Sequence, residues 1–297
     1  MSDEIAAAQL VFDRLSQRYE ARGGLTLDAR GRALRALRDG LRLRQEKFVK
    51  AISADFGYRS RHETLLTELV VVLQAIDYTL PRIARWARPR RLALGLPVWP
   101  ARARAEPTPR GVACVMAPSN YPLQLALMPL ISALSAGCPT LIKPSEMTPR
   151  TADEIAALVA AHLDADEVGV VCGGPDLGAH LSALPFGVIL FTGSGGVGAK
   201  VASLAAPHLT PVILELGGKS PAILDRDADL ARAAETIVYG KLINAGQTCV
   251  APDYVLAPAE TFDETVAQLR AAAPRRTTAP RRAPLPAPAT GRAREGC

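Results

Sequence analysis

A chain of 297 residues, 48% of them apolar, carries enough hydrophobic material for a substantial core in one or two domains. Its net charge of +6 is localised: six arginines against the single Glu295 put +5 of it into residues 274–297, which argues against a nucleic-acid-binding body. Five cysteines, Cys114, Cys138, Cys172, Cys249 and Cys297, are widely spaced with no CxxC pair, so neither a disulfide scaffold nor a metal site is indicated.

The first twenty residues bring acidic side chains at once and no apolar h-region, so they do not read as a signal peptide, and a cytoplasmic protein with reduced thiols is expected. Leu34, Leu37, Leu41, Phe48 and Ile52 recur at helical spacing and predict an amphipathic helix over 28–56, its arginines forming the solvated face. A second helix is expected from about 62 to 86, ending before Pro89. The Pro- and Arg-rich segment 90–111 reads as an extended crossing with short strands.

From Gly111 onward the pattern changes. Short apolar runs at 111–118, 138–144, 168–173 and 186–193 alternate with helical stretches such as 123–136 and 151–163. That alternation predicts parallel strands with crossover helices, an α/β doubly wound parallel sheet. The most apolar stretch, 123–134, is interrupted by Gln124, Pro129 and Ser132 and is too short to span a bilayer, so no membrane role is expected. Beyond Leu269 the chain loses its apolar pattern. Arg, Ala, Pro and Gly make up 18 of the last 24 residues, and residues 274–297 are expected to be disordered.

Three features carry chemistry. Gly193 to Gly198 fit GxGxxG, follow an apolar strand and open a helix near Gly196, where free N–H groups and the helix dipole favour a pyrophosphate. Glu215 lies 22 residues after Gly193, before Gly217 and Gly218. By spacing alone it is either a ribose-binding acid or a base held at a strand end. Cys249, after Gly246 in GQTC, is a candidate thiolate, although a lone cysteine is more often inert and buried. His62, His162, His180 and His208 are dispersed and suggest no triad.

The segments APSNYP (117–122), LIKPSE (141–146), FTGSGGVG (191–198), ELGGKSP (215–221) and NAGQTC (244–249) closely resemble the NAD(P)-dependent aldehyde dehydrogenases, in the family's order and over roughly residues 20–270. Within that family the runs around Glu215 and Cys249 are similar to the branch acting on fatty, aromatic and coniferyl-type aldehydes. The resemblance implies a Rossmann-like NAD(P)-binding domain with N-terminal helices over 1–214, then the start of a second α/β catalytic domain over 215–273. It implies Cys249 as nucleophile, Glu215 as the base that activates hydrolytic water, and Asn120 as an oxyanion donor beside the Cys249 backbone N–H. For the cofactor it implies Lys143 and Glu146 at the adenosine ribose, Gly193, Ser194 and Gly198 at the pyrophosphate, and Gly217 near the nicotinamide. NAD and NADP both remain open, since Lys143 tolerates a 2′-phosphate. The implied partner is a small aldehyde, with a homodimer in the family.

The chain departs from the family in two ways. Ser119 stands where many relatives have tryptophan or glycine. The rest of the second domain, including a Glu-x-Phe-Gly-Pro motif at the nicotinamide ribose, is missing. The expectation is therefore a truncated or frameshifted product in which a strand near 250–256 lacks neighbours. The alternative to an active dehydrogenase is an inactive nucleotide-binding fragment of one.

Overall fold

The computed structural model describes residues 3–277. Helix α1 (Asp3–Arg22) leads into α2 (Leu27–Asp55), whose start is capped by Thr26 accepting from the Ala29 N–H. Leu34, Leu37, Leu41, Phe48 and Ile52 are all fully buried along α2, as their spacing requires. The expected helix over 62–86 is interrupted: α3 (Arg61–Thr64) runs into a π turn (Leu65–Leu69), then α4 (Val70–Thr79), and α5 (Ile83–Trp86) follows a break at Pro81. Proline has no N–H to continue the ladder, which accounts for the break. Strands β1 (Arg90–Leu92) and β2 (Ala103–Ala105) form an antiparallel hairpin in the expected extended crossing.

The central sheet takes β3 (Ala113–Met116), β4 (Thr140–Lys143), β5 (Val168–Val170), β6 (Val188–Gly193) and β7 (Val212–Leu216), all parallel, in the order β5-β4-β3-β6-β7. The crossovers are α6 (Gln124–Ala136), α7 (Pro149–His162), α8 (Pro175–Ser182) and α9 (Gly195–Ala205). Alternate strand residues face opposite sides. Val115 and Ile142 join Leu34, Leu37, Phe48, Leu127 and Leu130 on one face, whereas Cys114, Leu141 and Ile189 join Phe12, Leu15, Leu177 and Val201 on the other. Both faces are thus covered over β3, β4 and β5, as a doubly wound sheet demands, whereas Ile213 and Glu215 of β7 remain exposed. The approach of β3 to β6 is close: a Cβ on Gly187 would lie 2.3 Å from the Arg110 carbonyl oxygen.

After the sheet come β8 (Ser220–Ile223), α10 (Leu230–Leu242), β9 (Pro252–Leu256) and α11 (Phe262–Thr277). The strand expected near 250–256 to lack neighbours has one among the described residues: β9 pairs in parallel with β8 through Pro221↔Tyr254, Ala222↔Val255 and Ile223↔Leu256, and this two-stranded sheet leaves Ile223, Tyr254 and Leu256 exposed. Helix α11 also carries on through Thr277, past the expected break at 274. The rest of the tail lies outside the described residues. No described helix is long and apolar enough to cross a membrane.

Candidate active site

The order of the strands reverses between β3 and β6: the chain winds outward through β4 and β5, then returns to β6 and β7. In open α/β sheets the crevice beyond the carboxyl ends at such a reversal is where ligands bind. Here Asn120 follows β3, Lys143 ends β4, Gly193 ends β6 and Glu215 lies near the end of β7.

A cleft of about 510 Å³ opens at this edge, lined among others by Asn120, Thr192, Gly193, Glu215, Gly217 and Cys249. Residues more than a hundred positions apart in sequence thus face one space. Glu215 does not follow its strand but lies within it, paired with Thr192 across β6 and β7, and it is exposed. Strand alternation points it to the face opposite Leu214. Gly217 and Gly218 adopt no left-handed backbone, and a Cβ on either would meet open space. They leave room for a ligand.

Cys249 is exposed, unlike buried Cys114 and Cys138. Its loop is fastened from two sides. Asn120 Nδ2 donates to the Gln247 carbonyl at 2.8 Å, and Asn244 Nδ2 donates to the Asn120 carbonyl at 2.7 Å. The Asn244 backbone N–H donates to the Glu63 carboxylate. Asn244 and Ala245 hold left-handed backbone at φ 51° and 53°, a strained conformation for residues with a Cβ that persists where surrounding bonds over-determine it. Asn120 has committed one amide proton to Gln247, which leaves the other for a carbonyl oxygen in the cleft.

The other four cofactor candidates, Ser194, Gly198, Lys143 and Glu146, do not line this cleft. Ser194 caps α9 by accepting from the Val197 N–H at 3.5 Å, and a Cβ on Gly195 or Gly196 would meet nothing within 4 Å. An eleven-residue helix thereby presents its unpaired N–H groups to open space, which fits a pyrophosphate. Gly198 is buried beneath, where a Cβ would lie 2.9 Å from Leu216 Cδ2, so its role is close packing of helix on strand. Buried Lys143 reaches Glu146 Oε2 at 2.8 Å, so the two residues expected at an adenosine ribose hold each other at the end of β4.

Motif reading did not single out Arg59, Glu63, Glu68, Asn244 or Thr248, although all bear on this cleft. Arg59 and Glu68 form a fully buried ion pair. Burial pushes the Glu68 carboxyl up, while Arg59 and the Leu123 and Gln124 N–H groups pull it down. Tyr121 is likewise raised by burial, and its hydroxyl hydrogen-bonds Thr248 Oγ1 at 2.7 Å. Asn244 and Thr248 sit inside a recognised segment and Tyr121 inside another; Arg59 and Glu68 belong to no motif and carry no sequence signal.

Comparison with known proteins identifies the family. The aldehyde dehydrogenase family matches over residues 5–284. A probable coniferyl aldehyde dehydrogenase of Pseudomonas aeruginosa is 45% identical over 90% of this chain and 56% of its own length. A coniferyl aldehyde dehydrogenase of a Pseudomonas species is 40% identical over 89% and 55%. The substrate-bound state of Staphylococcus aureus AldH superposes with a TM-score of 0.86 at 33% identity, covering 89% of this chain and 57% of that one. A Pseudomonas syringae aldehyde dehydrogenase C mutant, complexed with NAD+ and octanal, gives a TM-score of 0.81 at 28% identity, over 90% and 54%. The chain therefore spans about 56% of the length of such relatives.

Proposed function

The chain belongs to the aldehyde dehydrogenase family, and from that premise we propose that its cleft oxidises an aldehyde to the carboxylic acid with Cys249 as nucleophile. The observation that carries this reading is the convergence of Asn120, Glu215 and Cys249 on one cleft at the reversal of strand order. Coniferyl-type aromatic aldehydes are the first substrates to try, because relatives at 45% and 40% identity bear that name; medium-chain aliphatic aldehydes come next.

The chemistry follows from residue type. The Cys249 thiolate adds to the carbonyl carbon, and the oxygen takes the developing charge. The free Asn120 amide proton, with the Cys249 backbone N–H, is the donor set for that oxyanion, an arrangement that acts most strongly where water is excluded. The adduct becomes a thioester by loss of hydride from its carbon; NAD or NADP would accept that hydride, with Gly193, Ser194 and the α9 N-terminus holding its pyrophosphate and Lys143 and Glu146 its adenosine side. Glu215 then takes a proton from the water that hydrolyses the thioester. Gly217 leaves space for the nicotinamide end.

Formation of reduced cofactor from coniferyl aldehyde tests the proposal. The wild-type chain gives turnover with NAD or NADP, and Cys249→Ala brings it below detection while dinucleotide affinity stays. Equal turnover by the alanine variant removes Cys249 from the mechanism. A second reading is dinucleotide binding without turnover, which the α9 N-terminus open beside Ser194 supports on its own. Calorimetric NAD binding with no product from any aldehyde selects it.

A further inference from the structure

We propose that Arg59 and Glu68 are positioning residues for the nucleophile loop, acting through Tyr121 on Thr248 and so on the Cys249 backbone. The inference rests on the reading of Cys249 as nucleophile, and it assigns work to two residues that neither line the cleft nor belong to a recognised segment.

The contacts run in one line from the helical layer to the loop. Glu68 sits in the π turn, a kind of helix irregularity that re-aims side chains and is frequent near functional sites. Its Oε2 accepts from the Leu123 N–H at 2.8 Å and the Gln124 N–H at 3.0 Å. These belong to the start of α6, where the N-cap is Leu123 and offers no capping side chain, so Glu68 caps α6 from another helix. Asn120 and Tyr121 lie in the turn just before that capped end. Arg59 pairs with Glu68, donates from Nη2 to Thr67 Oγ1 at 3.0 Å, and lies 5.1 Å from the Tyr121 ring centroid and 5.2 Å from that of Phe56. With its ring lodged on a guanidinium, Tyr121 has its hydroxyl aimed at Thr248, one residue before Cys249.

A buried ion pair is weak evidence for stability, because well-packed apolar residues often serve as well. What apolar replacements do not supply is a fixed cation under an aromatic ring and a carboxylate on two backbone donors. The pair therefore fixes the directions of Tyr121 and of the turn carrying Asn120.

Hydrogen exchange and cysteine labelling on the full chain test this. Arg59→Lys keeps the charge but loses the planar fork. It speeds amide exchange over 244–249 by about fivefold, the worth of one net side-chain hydrogen bond, and leaves 140–143 in β4 unchanged. In a Tyr121→Phe background the same substitution adds nothing further over 244–249, because the link is already cut. Thr248→Val reproduces Tyr121→Phe, and Thr248→Ser restores wild-type exchange. Alkylation of Cys249 slows in Arg59→Lys and Tyr121→Phe as the donors lose their places, whereas simple loosening speeds it. The proposal is overturned if exchange over 244–249 is unchanged, or rises together with that of 140–143, or if Arg59→Lys acts equally in the Tyr121→Phe background. Should Arg59→Lys fail to fold, Tyr121→Phe with unchanged exchange over 244–249 overturns it alone. The nucleophile reading fails by a different sign, wild-type Cys249 alkylating no faster than in the denatured chain.

Discussion

At the scale of single residues, what the sequence reveals is side chains embedded in recognisable segments. Cys249, Asn120 and Glu215 are legible because each sits among glycines and prolines that fix the surrounding backbone, and the structure sets all three on one cleft. The pairing of Lys143 with Glu146 is not legible, since three-residue spacing beyond a strand end says nothing about which way either side chain turns. Cys114 is a fully buried thiol away from the cleft. It points into the face of the sheet covered by α1, α8 and α9, and burial pushes its thiol well above the ordinary range, with Lys143 pulling weakly the other way. The folded chain keeps that proton while the unfolded chain loses it above about pH 8.5. Stability therefore falls as pH rises through the unfolded thiol's range, by up to about 1.4 kcal/mol per pH unit for this group. Denaturant titrations from pH 8 to 10 are expected to show a shallower alkaline loss in Cys114→Val; parallel curves for the two proteins contradict the assignment.

Among elements, periodicity reveals what packs and misses what bends. The five apolar positions of α2 and the alternating strands are recoverable because burial imposes periods of 3.6 and 2. The π turn at Leu65–Leu69 keeps an apolar stripe on both sides and so looks like continuous helix, yet it sets Glu68 against the α6 terminus. The β8–β9 pairing was missed for another reason: its partner strands lie on either side of α10, and short exposed strands alternate too weakly to announce a sheet. Glycines test the close approaches. Gly187→Ala drives a Cβ into the Arg110 backbone at 2.3 Å, where nothing can rotate aside, and is expected to cost about 1–3 kcal/mol. Gly198→Ala meets only the end of the Leu216 side chain at 2.9 Å and regains up to about 1 kcal/mol of helix propensity. Its urea midpoint is expected near wild type, and a loss as large as that of Gly187→Ala contradicts this packing.

Over the whole molecule, two parts differ in how much they bury. The five-stranded sheet has apolar layers on both faces over β3, β4 and β5, whereas β8, β9, α10 and α11 leave Ile223, Tyr254, Leu256 and Phe262 exposed and bury little of α10 beyond Ala234. Local stability follows buried apolar contact. Hydrogen exchange is expected to be slowest in β3, β4 and β6 and at least about tenfold faster in β8 and β9; equal protection throughout contradicts that division. The cleft lies where these parts meet, so the central claim is that the sheet edge and the Cys249 loop together form a working nucleophile site. Mass spectrometry of the chain mixed with NAD+ and coniferyl aldehyde tests it most directly. The account predicts a thioester on the peptide bearing Cys249, formed with one equivalent of reduced cofactor, persisting longer in Glu215→Gln and absent from Cys249→Ala. A folded, NAD-binding chain that yields no such adduct and no reduced cofactor contradicts it.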